Sequence, residues 1–429
     1  MILRVFPGKL TGDTVWAPPS KSVMQRMVAV AMMADGRTMI RRPSECDDCT
    51  NALMMAAQLG ADIELGDDAV AIHGAFPLAP RTDTLTPGES GLGLRMFGVL
   101  SSLHDAPLAF EREGTLLQRD MSGLAVALNA FGVTVHGTAP GEALRIEGPL
   151  QGAKVSLDSG GSSQVLTGLL CALAHAESDS ELHIENVVSR PYLHMTFEVL
   201  EDMGMGVYVL VVDGGCVRVR IQGKHRATAI DSAVDGDWSA AAFLMALGLL
   251  CAPHHLNVEG LDNAYTQADE SIKGVLLFGG CRLAGTDEGV QVMAGQPKAF
   301  QADLTDCPDL FPPLAALAAF AQKPSTLKGL HRLANKESDR GVAIQQEWAK
   351  VGIKVELDEA KDSMTIFPGE VKRGRMSSHG DHRMAMAAAL FGAAGTPVEI
   401  EGAEAVAKSY PAFFDDLEAL GVKIQVVAG

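Results

Sequence analysis

The sequence predicts an α/β chain made of six copies of one unit, each a helix, a strand, a turn and a second strand. Three observations predict it. An amphipathic stretch ends six times at a glycine and passes straight into an alternating run: QLGADIEL, AFGVTVHG, DMGMGVYV, LFGGCRLA, KVGIKVEL and ALGVKIQV. The six glycines, Gly60, Gly132, Gly204, Gly279, Gly352 and Gly421, recur every 69 to 75 residues, the signature of a repeat architecture. A second, nearly all-apolar helix is expected in each copy, starting near Ser20, Ser90, Ser162, Asp237, Asp309 and Asp381; a helix apolar on every side belongs inside a layered domain.

Each element has a local cause. A glycine just past a helix takes the left-handed conformation without a Cβ clash, so it stops the helix. After the first five glycines the runs AVAIHG, ALRIEG, VRVRIQG, GVQVMAG and SMTIFPG supply the second strand; the sixth copy shows none. Ser and Asp at the apolar helix starts suit N-caps, whose oxygens accept the free N–H groups of the first turn. Repetition says nothing about function. The helix starts say more, because free N–H groups and the positive end of the helix dipole attract anions.

The first start, Ser20-Lys21-Ser22, places Lys21, Ser22 and Arg26 within one turn, with Ser22 and Arg26 four residues apart on one face. Two cations and a hydroxyl there suit a phosphate or carboxylate. The second start is Gly88-Glu89-Ser90-Gly91-Leu92-Gly93-Leu94-Arg95, where glycines admit close approach to the backbone and Arg95, inside an apolar helix, needs a partner. The third offers Ser162, Ser163 and Gln164. At the fifth, Asp309 is either an N-cap or a general base; at the sixth, Asp381-His382-Arg383 precedes an apolar helix and is hard to justify by packing. Lys336-Glu337-Ser338-Asp339-Arg340 sets two cations four residues apart around an acid pair.

The whole-chain balance narrows the function. The formal charge of −18 over 429 residues argues against a nucleic-acid or membrane-surface binder, so an anionic ligand needs a local basic cluster. The longest apolar and small run, Ala240 to Ala252, is too short to span a bilayer, and no apolar segment follows a basic start, so no signal peptide is expected. Seven cysteines, an odd number in mostly apolar surroundings, read as reduced thiols of a cytoplasmic protein. Cys46 and Cys49 have CxxC spacing, but no second pair completes a zinc site.

From end to end the chain resembles the 5-enolpyruvylshikimate-3-phosphate synthase family. The resemblance is carried by Ser20-Lys21-Ser22 with Arg26, Ser162-Ser163-Gln164, Ser189-Arg190-Pro191-Tyr192, Lys336 to Arg340, Asp381 to Met386 and Lys408-Ser409-Tyr410-Pro411. It implies two domains, each of three α/β units packed around buried helices in an inside-out barrel. Residues 1–17 plus 235–429 would carry the base, the acid and the C-terminal phosphoenolpyruvate contacts. Residues 18–234 would carry most shikimate 3-phosphate contacts, with hinges near 17–20 and 232–237. A cleft that closes on substrate would exclude water. The implied reaction moves the enolpyruvyl group of phosphoenolpyruvate to the 5-hydroxyl of shikimate 3-phosphate through a tetrahedral adduct, with no metal or organic cofactor and with the chain acting as a monomer.

Carried over by the same resemblance, Lys21, Ser22, Arg26, Ser162, Ser163, Gln164, Ser189 and Tyr192 hold shikimate 3-phosphate, with Asp309 and Lys336 at its reacting hydroxyl. Lys21, Gly91, Arg119, Gln164, Arg340, Arg383 and Lys408 contact phosphoenolpyruvate. Asp309 is the base, and Glu337, with Lys21, the proton donor. The chain departs from the family where Glu89 stands for an amide, where Leu92 and Met96 change the second helix, where Asp120 follows Arg119 in place of proline, and where Arg332 replaces an asparagine. A sister enzyme acting on UDP-N-acetylglucosamine would need a loop cysteine and a Lys-Asn motif that this chain lacks. A phosphate-binding repeat protein would not require Asp309 and Glu337, and an RNA-end-processing enzyme fits neither the charge nor the lack of basic–aromatic interleaving.

Overall fold

The computed structural model describes residues 1–160, 163–213, 216–261, 264–334 and 336–427. Strands β1 (Ile2–Val5) and β2 (Thr14–Trp16) precede the first repeat: α1 (Lys21–Ala31), β3 (Arg37–Arg41), α2 (Asp47–Gln58), β4 (Asp62–Leu65) and β5 (Ala69–His73). The second holds β6 (Thr84–Gly88), α3 (Gly91–Ser101), β7 (Leu108–Arg112), α4 (Ser122–Asn129), β8 (Thr134–His136) and β9 (Leu144–Glu147). The third holds β10 (Lys154–Asp158), α5 (Gln164–Leu173), β11 (Ser180–Glu185), α6 (Arg190–Asp202), β12 (Val207–Asp213) and β13 (Cys216–Ile221). The fourth holds β14 (Asp231–Ala233), α7 (Trp238–Cys251), β15 (His255–Glu259), α8 (Ile272–Phe278), β16 (Leu283–Gly285) and β17 (Gly289–Met293). The fifth holds β18 (Gln301–Asp303), α9 (Phe311–Ala318), β19 (Ser325–Lys328), α10 (Arg340–Lys350), β20 (Lys354–Asp358) and β21 (Ser363–Phe367). The sixth holds β22 (Gly374–Ser377), α11 (His382–Ala394), β23 (Val398–Glu401), α12 (Phe413–Ala419) and β24 (Ile424–Val426).

Six four-stranded sheets share one order. In the second, third and fifth repeats, the strand before the apolar helix runs parallel to the strand after it, and the hairpin pairs antiparallel beyond. The sixth repeat lacks a second hairpin strand, and β1 fills its place, pairing antiparallel with both β23 and β24. The first and fourth repeats exchange leading strands. The strand before α1, β2, pairs with β15, while the strand before α7, β14, pairs with β3.

The contacts divide the chain into two compact units. Unit 1 is Met1–Pro18, Gly236–Asn263 and Ala268–Gly429; unit 2 is Pro19–Asp235 with Ala264–Gln267. In unit 1 the apolar helices α7, α9 and α11 are buried almost throughout, and α9 at every residue. In unit 2 the same role falls to α1, α3 and α5. A Cβ at Gly168 of α5 would stand 2.9 Å from the Val99 Cβ of α3, so these two helices pack closely where glycine removes the side chain. The segment Ala264–Gln267 is fastened within unit 2: Tyr265 N–H donates to Asp235 at 2.8 Å, its hydroxyl to Asp202 at 2.8 Å, and Thr266 N–H to Glu198 at 2.7 Å.

Two local expectations need correction. The fourth left-handed glycine is Gly280 (φ +76°), not Gly279, whose φ is −68° and which ends α8 as its cap. Asp309 is not a helix N-cap: it lies in a 3-10 turn, Pro308–Leu310, ahead of α9. Ser20, Ser90, Asp237 and Asp381 do cap α1, α3, α7 and α11, each accepting a first-turn N–H. The third cap is Ser163, and Ser162 lies outside the described residues. No described helix is long and apolar enough to cross a membrane.

Unit 2 contains a buried histidine that makes its stability depend on pH. His175 stacks 4.8 Å from the Phe76 ring, and neither ring nitrogen has a hydrogen-bond partner among the described residues. Burial, helped by Arg226 and His225, pushes its pKa from 6.5 down to about 4. A depressed histidine pKa means that the proton prefers the unfolded chain. Stability is therefore full above pH 6.5 and is lost as pH falls toward 4, by up to about 3 kcal/mol. His175→Leu should remove that loss, read as urea midpoints at about pH 7 and about pH 4.5; an equal acid loss in the variant would refute it.

Candidate active site

In unit 1, three cations converge on one carboxylate. Asp309 Oδ1 accepts from Arg340 Nη1 at 2.6 Å and Lys336 Nζ at 3.2 Å, and its Oδ2 faces Arg383 Nη2 at 3.2 Å. The cations arrive from separate places. Lys336 and Glu337 lie in the loop before α10, Arg340 is the first residue of α10, and Arg383 lies in the first turn of α11. Lys336 and Arg340 thus share no helical face, and Asp309 is what brings them together.

Arg340 is the hub of this cluster. Its Nε donates to Asp381 Oδ2 at 2.7 Å, and its Nη2 donates to Glu337 Oε2 at 2.5 Å and Asp381 Oδ1 at 3.3 Å. Asp381 accepts as well from the Arg383 N–H (2.9 Å), as the cap of α11, and from the Ser338 hydroxyl (3.3 Å). One carboxylate therefore fixes both Arg340 and the start of the helix that carries Arg383. The Arg340 side chain is 0 % exposed, whereas Lys336, Glu337 and Asp309 keep 24 %, 18 % and 16 %. Those three can meet a ligand directly, whereas the Arg340 side chain is closed off from solvent.

The charges tune one another. Burial alone would push the Asp309 carboxyl up, but Arg383, Lys336 and Arg340 outweigh it and hold it well below the usual carboxylate range. Burial pulls the Lys336 ammonium below its usual value, against the opposing pull of Asp309. For Arg340, burial is overcome by Asp381, Glu337 and Asp309, which together keep it charged. Arg383 Nη1 meets His382 Nε2 at 2.6 Å, and its Nε is a buried donor with no hydrogen-bond partner among the described residues. A buried guanidinium N–H without an acceptor is costly and is suited to an incoming anion. Lys408 Nζ donates to the Gly380 carbonyl at 2.6 Å, one residue before Asp381.

Unit 2 holds a second group. Lys21, at the start of α1, is paired with Asp48 in the first turn of α2 at 2.6 Å. The two thiols of the CxxC pair, Cys46 and Cys49, are buried at that same helix start. Arg26 is braced by neutral oxygens: Ser22 O at 2.7 Å, Thr196 Oγ1 at 3.0 Å, and Thr167 Oγ1 and Tyr192 O at 3.4 Å. With no carboxylate bonded to it among the described residues, burial lowers its pKa to about 10. Ser163 supplies the carbonyl that receives Thr167 N–H at 3.0 Å, and Ser189, left-handed at φ +54°, caps the helix that carries Tyr192. Arg95 finds the partner it requires: its Nη1 donates to Gln164 Oε1 at 2.9 Å and to Gly91 O at 3.1 Å.

Gly91 is small for a reason. A Cβ there would stand 2.5 Å from Arg119 Nη1 and 3.1 Å from Arg95 Nη1, so its missing side chain admits both guanidinium groups. Arg112 holds the Arg119 turn, donating to the Arg119 carbonyl at 3.1 Å. Glu89, the departure at this helix start, accepts Thr115 N–H at 2.7 Å and Thr115 hydroxyl at 2.9 Å, at the start of the 3-10 turn Gly114–Gln118. Among the described residues, no group of three or more His, Cys, Asp or Glu side chains is placed to hold a metal ion.

A family model described as EPSP synthase (3-phosphoshikimate 1-carboxyvinyltransferase) matches residues 6–417. The chain belongs to the EPSP synthase family. It is 35% identical over 428 residues to the 3-phosphoshikimate 1-carboxyvinyltransferase of Aeropyrum pernix, covering 99% of this chain and 97% of that one. The enzyme of the same name from Methanoculleus marisnigri is 34% identical, with 98% and 100% covered. The fold matches the EPSP synthase structure of Acinetobacter baumannii, with a TM-score of 0.80 at 23% identity over 100% of both chains. It also matches the enolpyruvyl transferase NikO of Streptomyces tendae, with a TM-score of 0.74 at 17% identity over 99% and 98% of the chains.

Several residues of this EPSP synthase-family chain that order the two groups were not singled out by sequence. Asp48, Thr167 and Thr196 look like ordinary helix residues, and only packing brings them to Lys21 and Arg26. Asp381 gave a signal, as part of an ionisable cluster before an apolar helix. Asp269 gave none.

Proposed function

We propose that this chain transfers the enolpyruvyl group of phosphoenolpyruvate to the 5-hydroxyl of shikimate 3-phosphate and releases phosphate, a step toward chorismate and the aromatic amino acids. The observation that carries the roles is the convergence of Lys336, Arg340 and Arg383 on Asp309. Asp309 is the base on the 5-hydroxyl. While three cations neutralise it, it is a weak base. When the phosphate and carboxylate of phosphoenolpyruvate compete for those cations, Asp309 loses stabilisation as an anion and becomes more basic. Glu337, released from Arg340 in the same exchange, is the proton donor to the methylene carbon, with Lys21.

Phosphoenolpyruvate is assigned to Lys21, Gly91, Arg119, Gln164, Arg340, Arg383 and Lys408. Shikimate 3-phosphate is assigned to Lys21, Ser22, Arg26, Ser162, Ser163, Gln164, Ser189 and Tyr192, with Asp309 and Lys336 at its hydroxyl. Neutral bracing of Arg26 supports its role, since among the described residues no carboxylate competes with a phosphate there. Fixing two mutually repelling anions in attack geometry contributes roughly 7–11 kcal/mol, more than the roughly 10²- to 10⁴-fold of a proton transfer. The same reading makes the chain a cytoplasmic monomer whose domains, residues 1–17 plus 235–429 and residues 18–234, hinge near 17–20 and 232–237.

The test is phosphate release from phosphoenolpyruvate by purified protein without added metal, with either shikimate 3-phosphate or UDP-N-acetylglucosamine as acceptor. Release with shikimate 3-phosphate alone is expected. Release only with the nucleotide sugar, or with neither from folded protein, would overturn the reading.

A further inference from the structure

Two short turns meet at the foot of the unit 1 cluster. The 3-10 turn Ala268–Ser271 carries Asp269, and the 3-10 turn Pro308–Leu310 carries Asp309. The Ser271 hydroxyl lies 3.3 Å from the Cys307 sulfur and ties the turns together, with Asp269 two residues from one end of that contact and Asp309 two residues from the other. Helix α7 closes a third side: the Ser239 hydroxyl donates to Asp269 Oδ2, and the N-cap Asp237 faces the same carboxyl. From α11, Arg383 faces both Asp269 and Asp309. Cys307, itself beside Asp306, completes the surroundings.

Asp269 is 1 % exposed. Burial first, and the Asp309 charge second, push its carboxyl up to about 7, against Ser239 and Arg383. Its neighbour Asp309 is driven the opposite way. Adjacent carboxyls whose surroundings separate their proton affinities divide acid and base roles between them. Nothing in the assigned reaction uses Asp269.

We propose that Asp269 is a positioning residue for enolpyruvyl transfer: protonated, it leaves Arg383 to phosphoenolpyruvate, and ionised, it draws Arg383 toward itself and weakens that binding. The inference rests on the function proposed above. Asp269 acts through Arg383 and touches neither substrate. Its ionisation adds a negative charge where an anion must bind, so the apparent affinity for phosphoenolpyruvate falls as pH rises through about 7. Shikimate 3-phosphate, held mainly by residues of unit 2, is affected little.

The test compares wild type with Asp269→Asn from about pH 6 to about pH 8.5, reading kcat and both KM values. The phosphoenolpyruvate KM of the wild type should rise on the order of tenfold relative to the variant across that window, as expected for one unit charge beside a cation. Parallel KM profiles would overturn the inference, because a residue needed only for packing would not separate them. Infrared difference spectra of the unliganded protein follow the carboxyl directly: a protonated-acid signal should disappear near pH 7 in wild type and be missing from Asp269→Asn. Its absence from the wild type would sink the inference whether or not the protein uses shikimate 3-phosphate, and a wild type inactive with that acceptor would overturn only the function. If Asp269→Asn fails to fold, Ser239→Ala serves instead. Loss of its hydroxyl, which favours the ionised acid, should move the midpoint upward, and an unmoved midpoint would refute the proposal.

Discussion

Asp309→Ala should lower turnover by about 10²- to 10⁴-fold, the usual contribution of a positioned general base, without raising the KM for phosphoenolpyruvate. Three cations lie within 3.2 Å of this carboxylate. Removing it deletes a competitor for them, so an anionic substrate binds at least as well. The loss therefore falls on kcat, the pattern of an interaction made only in the transition state. Steady-state kinetics with each substrate varied in turn provide the check. Asp309→Asn separates charge from shape: it keeps the hydrogen bonds of one oxygen but cannot take the proton, and it should be as slow as the alanine variant. Near-normal turnover in either variant would remove Asp309 as the base. A large rise in the phosphoenolpyruvate KM would instead make it a binding residue.

Arg340→Met should destabilise unit 1 by about 3–5 kcal/mol, the range for breaking a buried ion pair by removing one partner. The guanidinium is fully buried and bonded to Asp309, Glu337 and Asp381, which come from three separate segments. Methionine matches the length of the stem and leaves those carboxylates without their common cation. Asp381, itself fully buried, has no water to replace the lost N–H groups. The sign of the pH dependence follows. In the wild type, cations hold Asp309 well below its usual range, so its stabilising contribution is present above the normal carboxylate pKa and is lost as the solution is acidified. In the variant Asp309 loses one of the cations that hold it down and takes up a proton more readily, and mild acid should recover part of the lost stability. Urea midpoints of both proteins at about pH 7 and about pH 5 test this. A variant as stable as wild type would mean that the network contributes nothing net to folding.

The two expectations explain why Arg340 and Asp309 are differently exposed. Arg340 organises: one rigid fork satisfies acids from the loop before α10, the 3-10 turn before α9 and the cap of α11. Asp309 keeps a path to solvent, as a group that must meet a hydroxyl requires. Arg383 stands between these roles, with one N–H toward Asp309 and a buried Nε that has no acceptor among the described residues. A titrating acid beside Arg383 therefore acts on a cation that an incoming anion also needs.

Much of the architecture could be read from residue order because its causes are local. A cap such as Ser20, Ser90, Asp237 or Asp381 acts on N–H groups two or three residues away, and a stop such as Gly60 or Gly421 acts on its own φ. The fourth stop slipped by one residue because Gly279 and Gly280 are adjacent and either can end a helix; the backbone assigns the left-handed angle to Gly280. The charged motifs were equally plain, since Lys21, Arg26 and Arg383 stand near the starts of apolar helices, and Lys336 and Arg340 stand just before and at the start of α10. Long-range pairing decided the rest. No local signal tells β1 to complete the sixth sheet some 400 residues on, or β2 and β14 to exchange repeats. Strand edges bond through backbone groups that every residue shares, so the partner is chosen by what the finished layers leave unpaired. Asp48 meets Lys21, and Asp269 comes beside Asp309, for a related reason. A carboxylate has the same chemistry wherever it lies in the chain, and its proton affinity is set by the burial and the neighbouring charges that only folding supplies.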